Sequence, residues 1–370
     1  MLQSNRRSLL CQNFCYAVGE LNRVVYLESR CKQSLVVNKL RVNRKVFPAC
    51  LHRTFKGMER FRLPRYKSCS GILIKKSLGL VKQYFGEEVP SAVCCAPVEN
   101  RGMIFTDDKG GEYAFRQEGR NVWRGAFDGW LVAKAAESGA ELLDGTAAIA
   151  CEEENGAVWV TLQNRERCKV RARYLLDCEG VTGALKRKLA PGPAQYITTF
   201  QTFNEGRIAL DPHYFYAYLQ PELSEYDAWF NVKDGFLVLG VSVRDAKRAE
   251  YFYRRFLSYM EERHGLCTGR EERREKWLMP RIPPGCPIYY GQGRVLCAGE
   301  AAGFLNPMGE GVSAALESGH HAAGALMEHW NEPERALARY RERTNALRAY
   351  MRRQWSFTAG MAETFREMRT

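Results

Sequence analysis

The densest potential for chemistry lies between Gly293 and Gly319. There Val295-Leu296-Cys297-Ala298, a short strand-forming apolar run, ends in Gly299-Glu300. Ala301, Ala302 and Gly303 follow, small enough for a backbone to approach a partner closely. Pro307-Met308-Gly309-Glu310-Gly311 then opens a helix expected to reach about Trp330. A helix start presents backbone N–H groups that have no partner inside the helix, and its macrodipole favours negative charge by about 0.3–1 kcal/mol. The chemistry expected here is the holding of an anionic ligand edge. The plainer reading is a tight strand-to-helix turn with no ligand. Gly309-Glu-Gly311-Val-Ser-Ala314 also imitates a dinucleotide fingerprint, but it follows a Pro-containing loop and not a strand.

Four further segments carry candidate residues. Pro64-Arg-Tyr-Lys-Ser-Cys69-Ser-Gly71 offers a thiol that could donate a proton, or a buried structural cysteine. Arg124-Gly-Ala-Phe-Asp128-Gly-Trp-Leu131 pairs an arginine with Asp128, which reads as a helix N-cap. Leu175-Leu-Asp-Cys-Glu179-Gly180 is a strand running into a turn before a basic helix. Tyr226-Asp-Ala-Trp229-Phe230 sets aromatics on a strand, as a substrate wall or as core. No metal site is expected. His320 and His321 are helix neighbours pointing about 100° apart. The 13 cysteines form no zinc-like pairs and suit a reduced, cytoplasmic chain.

These segments need elements to position them. Hydrophobic residues at 45% and charged residues at 26% describe a globular protein with a real core. The longest nearly apolar run, Gly235 to Val243, is far shorter than the ~20 residues of a membrane span. A hairpin is expected over residues 103–115, a helix from Asp128 to Gly139, and a second hairpin around Asn155-Gly156. A strand is expected over Arg171–Leu176, and a mixed or antiparallel sheet over 195–245. Helices follow at 246–264, at 311–330 and from Pro333 onward. Charge is uneven: residues 1–82 hold 18 Lys and Arg against three Glu, a net +15 within a total of +13. Turn signals and periodic elements begin only near residue 60.

The Gly299–Gly311 segment resembles the second FAD-binding motif of the geranylgeranyl-reductase, halogenase and aromatic-hydroxylase flavoproteins, with Glu300 where most relatives have Asp. The segments at Cys69, Arg124, Glu179-Gly180 and Tyr226–Trp229 match further family segments more loosely. The resemblance implies an α/β (α+β) fold. A Rossmann-like FAD-binding domain, incomplete at its N-terminus, would span 61–190 and 291–330. A mixed or antiparallel β-sheet substrate domain (191–290) would be inserted, and helices would close the chain at 331–370. Residues 1–60 are an atypical basic segment. They lack the Gly-x-Gly-x-x-Gly loop that relatives carry, as a shifted reading frame or a wrong start would produce. The implied cofactor contacts are Arg124, Glu179, Gly180, Gly299, Glu300, Ala302, Gly303, Pro307, Gly309 and Gly311. Tyr226 and Trp229 would face substrate, and Cys69 would donate the proton. The implied activity is FAD-dependent reduction of an apolar, prenyl-like molecule, with NAD(P)H or a ferredoxin-type donor as reductant. The alternatives are a flavin monooxygenase of an aromatic substrate, and a non-enzymatic relative whose basic end meets nucleic acid or an acidic membrane surface. No specific nucleic-acid partner is expected, because no recognised motif accompanies the charge.

Overall fold

The computed structural model describes residues 24–29, 53–189 and 196–367. Most of the segment 1–60, on which the expectation of a foreign N-terminus rests, lies outside them.

A six-stranded sheet runs in the order Gly291–Gln292, Val295–Cys297, Tyr174–Asp177, Val24–Ser29, Arg53–Glu59, Glu141–Asp144. Tyr174–Asp177 is parallel to Val295–Cys297, and Arg53–Glu59 is parallel to Glu141–Asp144. Val24–Ser29 lies between these pairs and runs against both neighbours. Four strands therefore share one direction, and their carboxyl ends fall at Cys297, Asp177, Glu59 and Asp144. Tyr174–Asp177 is buried throughout, as a central strand covered on both faces should be. In open α/β sheets the crevice outside such carboxyl ends is where ligands bind.

The second sheet has eight strands, in the order Cys267–Pro280, Tyr196–Arg207, Phe236–Val243, Ala228–Lys233, Tyr214–Tyr218, Cys94–Thr106, Glu112–Val122, Ile72–Ile74. All its pairings are antiparallel except Tyr214–Tyr218 with Cys94–Thr106. A three-stranded meander over 147–172 completes the strands, turning at Asn155 (φ 50°) and Gly156 (φ 70°). Both residues sit in the left-handed region that a two-residue hairpin turn demands.

The helix Val312–Glu328 is rich in Ala and buries Leu316 and Leu326 completely. Each such leucine contributes roughly 1.5–3 kcal/mol by leaving water. Helices at 333–343 and 345–361 pack behind it, joined at the buried Thr344. Among the described residues no helix is long and apolar enough to cross a membrane.

Three expectations change. The helix expected to start at Asp128 runs Arg124–Glu137 instead, and Asp128 is an interior, buried member of an i,i+4 ion pair with Arg124 at 2.9 Å. The strand expected over Arg171–Leu176 divides at Arg173. Arg167–Ala172 joins the meander, and Tyr174–Asp177 joins the six-stranded sheet. The 14-residue strand Cys267–Pro280 went unread, because its exposed, charged residues Arg270–Arg274 carry no apolar alternation.

Candidate functional site

Two adjoining clefts open outside the carboxyl ends of the six-stranded sheet. They share Lys67 and Thr182.

The first is a cavity of about 370 Å³ between the Glu300–Val312 segment and the face of the eight-stranded sheet. Strand alternation builds its sheet wall. Ile197 and Thr199 stand two apart on one strand and pair with Met279 and Trp277 on the next. Side chains two apart share a face, so all four look inward. Trp229 pairs across the strands with Gly240, where any Cβ would overlap the indole ring. The glycine thus seats the indole flat. Trp277 meets Trp229 edge-on, with ring centroids 6.3 Å apart. The wall is apolar and aromatic, with Asp227 and the buried Tyr226 at its margin.

The opposite wall follows from the turn after Cys297. Gly299 (φ 58°) takes a left-handed backbone conformation, and its N–H donates to Ser318 Oγ at 2.9 Å. Gly303 (φ 97°) closes the short helix Gly299–Ala302, and a Cβ there would lie 2.9 Å from the Pro287 carbonyl oxygen. Asn306 Oδ1 accepts the N–H groups of Met308 and Glu310, both at 3.0 Å, folding the loop back. Glu310 Oε1 caps the long helix by accepting the Ser313 N–H at 2.8 Å. Glu300 faces the cavity and accepts the Val181 N–H. Burial raises its pKa, opposed by Lys67, Lys186 and Arg124. Burial also pushes Asp227 up to about 6, opposed by a hydrogen bond from Ser242. The Tyr226 hydroxyl is buried without a hydrogen-bond partner.

The second cleft, about 390 Å³, is charged. Glu59 ends its strand and is buried. It accepts Phe61 N–H at 3.1 Å and Arg65 Nε at 2.9 Å. Arg65 also reaches Asp128 at 3.1 Å, and Asp128 holds Arg124. Glu179 accepts the Leu185 N–H at 2.9 Å, fastening the turn to the helix Ala184–Leu189. Burial, then the Asp177 carboxylate, push Glu179 up to about 7.

The residues expected from sequence distribute as follows. Cys69, Arg124, Tyr226, Trp229, Glu300, Pro307, Gly309 and Gly311 line the first cavity. Gly299, Ala302 and Gly303 shape the turn behind it. Glu179 lines the second cleft, and Gly180 (φ 78°) forms the adjoining turn without lining either. Three residues escaped the sequence reading. Trp277 lay in the unread charged strand. Asp227 was passed over between two aromatics. Glu59 closes a β-run, which is the place of the acid that binds ribose in dinucleotide folds, and that position was its only signal. Among the described residues no cluster could hold a metal ion.

These clefts fit an elongated flavin dinucleotide. The cavity offers close-approach glycines at Gly309 and Gly311, an orphaned tyrosine hydroxyl and a helix N-terminus. The neighbouring cleft offers an acid at a strand end and the basic Arg60 and Arg187.

No family model matches the chain. It is 27% identical over 253 residues to digeranylgeranylglycerophospholipid reductase 1 of Methanopyrus kandleri, covering 65% of this chain and 67% of that protein. Its fold is similar to a geranylgeranyl bacteriochlorophyll reductase-like protein of Thermoplasma acidophilum. That likeness has a TM-score of 0.69 and 17% identity, and covers 82% of this chain and 80% of the other. The flavin-dependent halogenase CmlS superposes with a TM-score of 0.64 and 17% identity over 84% of this chain and 62% of its own. The parallel strand pairs, the glycine turn at their carboxyl ends and these likenesses agree: the chain has the fold of the FAD-dependent flavoproteins, and its sequence is similar to that of the digeranylgeranylglycerophospholipid reductases.

Proposed function

We propose that this chain is an FAD-dependent reductase of an apolar, prenyl-like substrate, working in the 370 Å³ cavity. The observation that carries the reading is the two-walled construction. An aromatic sheet face built from Trp229, Trp277, Phe215 and Met279 stands against a glycine turn and a helix N-terminus. Bound FAD would supply hydride-transfer chemistry.

The chain's own residues do the rest. Gly309 and Gly311 admit a flat ring, and the helix beginning at Val312, whose Ser313 N–H is already taken by Glu310, turns its remaining N-terminal N–H groups to the anionic edge. Glu300 accepts hydrogen bonds from polyol hydroxyls. Arg124 and Lys67 add positive charge at that end. Glu59 and Glu179 serve the adenosine half in the second cleft, Pro307 lines the cavity, and Gly180, Gly299, Ala302 and Gly303 set the backbone path of the turns behind it. Trp229 and Trp277 exclude water and hold an alkene against the opposite wall. Asp227, protonated below about pH 6, holds a proton at the substrate margin and donates it to carbon. Cys69 lines the same cavity as the rival donor. The reductant is NAD(P)H or a ferredoxin-type protein. The pair of indoles also suits a planar aromatic substrate, which supports flavin monooxygenase chemistry as the second reading.

Purified protein should retain a flavin absorbance spectrum through gel filtration. After anaerobic reduction, a prenyl lipid should restore the oxidised spectrum. Failure to hold flavin removes the whole reading. Reoxidation by oxygen with an aromatic compound, but not by the prenyl lipid, transfers it to the monooxygenase.

A further inference from the structure

On the far side of the glycine turn lies a third cleft, about 340 Å³, that the flavin chemistry does not use. Its floor is the loop 285–291, and its rim carries Arg341, Arg348 and Arg352. No acidic residue lines it.

The charge on the helices that carry these arginines is organised by face. Arg335 pairs with Glu332, Arg339 with Glu328 and Glu342, and Arg343 with Glu328. Arg341, Arg348 and Arg352 have no ion pair among the described residues. Arg348 and Arg352 stand four apart on the helix Asn345–Met361, so they share a face and repel. Arg352 Nε donates to the Gly285 carbonyl at 3.3 Å, which fixes the guanidinium against the loop and leaves its other N–H groups free to serve the cleft. The Arg341 guanidinium lies 5.8 Å from the Tyr290 ring centroid. The loop itself is tied down. Tyr289 N–H donates to the Ala302 carbonyl at 2.9 Å, and the Tyr290 hydroxyl meets Thr344 Oγ1 at 2.7 Å.

Three guanidiniums gathered on a fixed loop without a counter-charge are matched to one chemistry. Each planar fork can donate two parallel hydrogen bonds to a phosphate group. We infer that this cleft is a binding site for a phosphate-bearing ligand, separate from the flavin clefts. The phosphate can come from a nicotinamide dinucleotide carrying a 2′-phosphate or from a glycerophosphate headgroup. The recognising chemistry is the same for both.

The test is calorimetric titration of the full chain with inorganic diphosphate at low ionic strength. Saturable binding is expected, weakened at least tenfold in the R348Q/R352Q double variant. R353Q alters an exposed arginine of the same helix outside the cleft, and it should bind as the unaltered chain does. Displacement of diphosphate by NADP⁺ but not NAD⁺ assigns the cleft to the dinucleotide; displacement by glycerol phosphate assigns it to the headgroup. Absence of saturable binding overturns the inference, as does an equal loss in R353Q. Unchanged binding in a double variant with native circular dichroism overturns it too. Because the titration needs neither flavin nor turnover, its outcome is independent of the reductase reading.

Discussion

The two clefts that meet at Lys67 and Thr182 hold their shape by opposite means. The cavity is shaped by packing and by backbone that only glycine adopts easily. The neighbouring cleft is braced by buried charge, in a chain that starts at Glu59 and Arg65 on its lining and runs back through Asp128 to Arg124 at the edge of the cavity. In the first, residues can change with loss of ligand but not of fold. In the second, removing one charge strands another away from water.

The largest effect should therefore come from the charged cleft. R65A leaves Glu59 buried without its cation and Asp128 with Arg124 alone, and breaking a buried pair in this way costs about 3–5 kcal/mol. Chemical denaturation should show most or all of the stability lost. A variant that unfolds within 1 kcal/mol of the unaltered protein would erase the contrast between the clefts.

G309V tests the other side. Gly309 has φ 78°, and a Cβ would sit 3.1 Å from Met279 Cε. A left-handed conformation costs a side-chain-bearing residue about 1–2 kcal/mol, so Tm should fall by only a few degrees while flavin retention drops at least tenfold. Equal losses of fold and flavin would deny the cavity its separate status.

Protonation offers a finer comparison. Burial holds Asp177 and Asp227 up to about 6, and Glu179 up to about 7. Unfolded carboxyls titrate near ~4, so each folded pKa lies above its unfolded value. Their stabilisation is complete below about pH 4 and is lost as pH rises through about 6–7. D227N should raise Tm at pH 8 and leave it nearly unchanged at pH 4. On the proposed reductase reading, with Asp227 as donor, prenyl turnover should decline above about pH 6 as the Asp227 proton leaves, and D227N should abolish that limb. A limb that survives D227N would move the proton to another group.

The smallest effect is expected at Cys69. Its Sγ accepts the Gly71 N–H at 3.3 Å, an arrangement a serine oxygen can reproduce. C69S should keep the flavin spectrum and the pH limb, with turnover reduced less than tenfold. A turnover loss beyond a hundredfold would make the thiol, not Asp227, the donor.

Much of this was legible in the chain, and the boundary has a physical cause. Local signals travelled well. Asn155-Gly156 made its hairpin, and the run from Val295 to Gly311 made its strand, turn and helix. Each depends on backbone preferences within a few residues. Signals that depend on distant partners did not travel. Asp128 reads as a cap in one dimension, but it became a helix-interior ion-pair member because Arg65 reaches it from another segment. The strand Cys267–Pro280 has no apolar rhythm, and it is a strand because Tyr196–Arg207 offers it a ladder of hydrogen bonds. Trp277 enters the cavity only through that pairing.

The sequence by itself determined the glycine turn, the helix start and the aromatic strands, since steric limits on φ and hydrophobic periodicity act locally. Only the tertiary structure decided that the turn faces Trp229 and Trp277, that Asp128 shares its charge with Arg65, and that three arginines without ion pairs gather around one loop. Those facts depend on which surfaces meet across long stretches of chain. Burial and the lowered dielectric that comes with it arise only at such meetings.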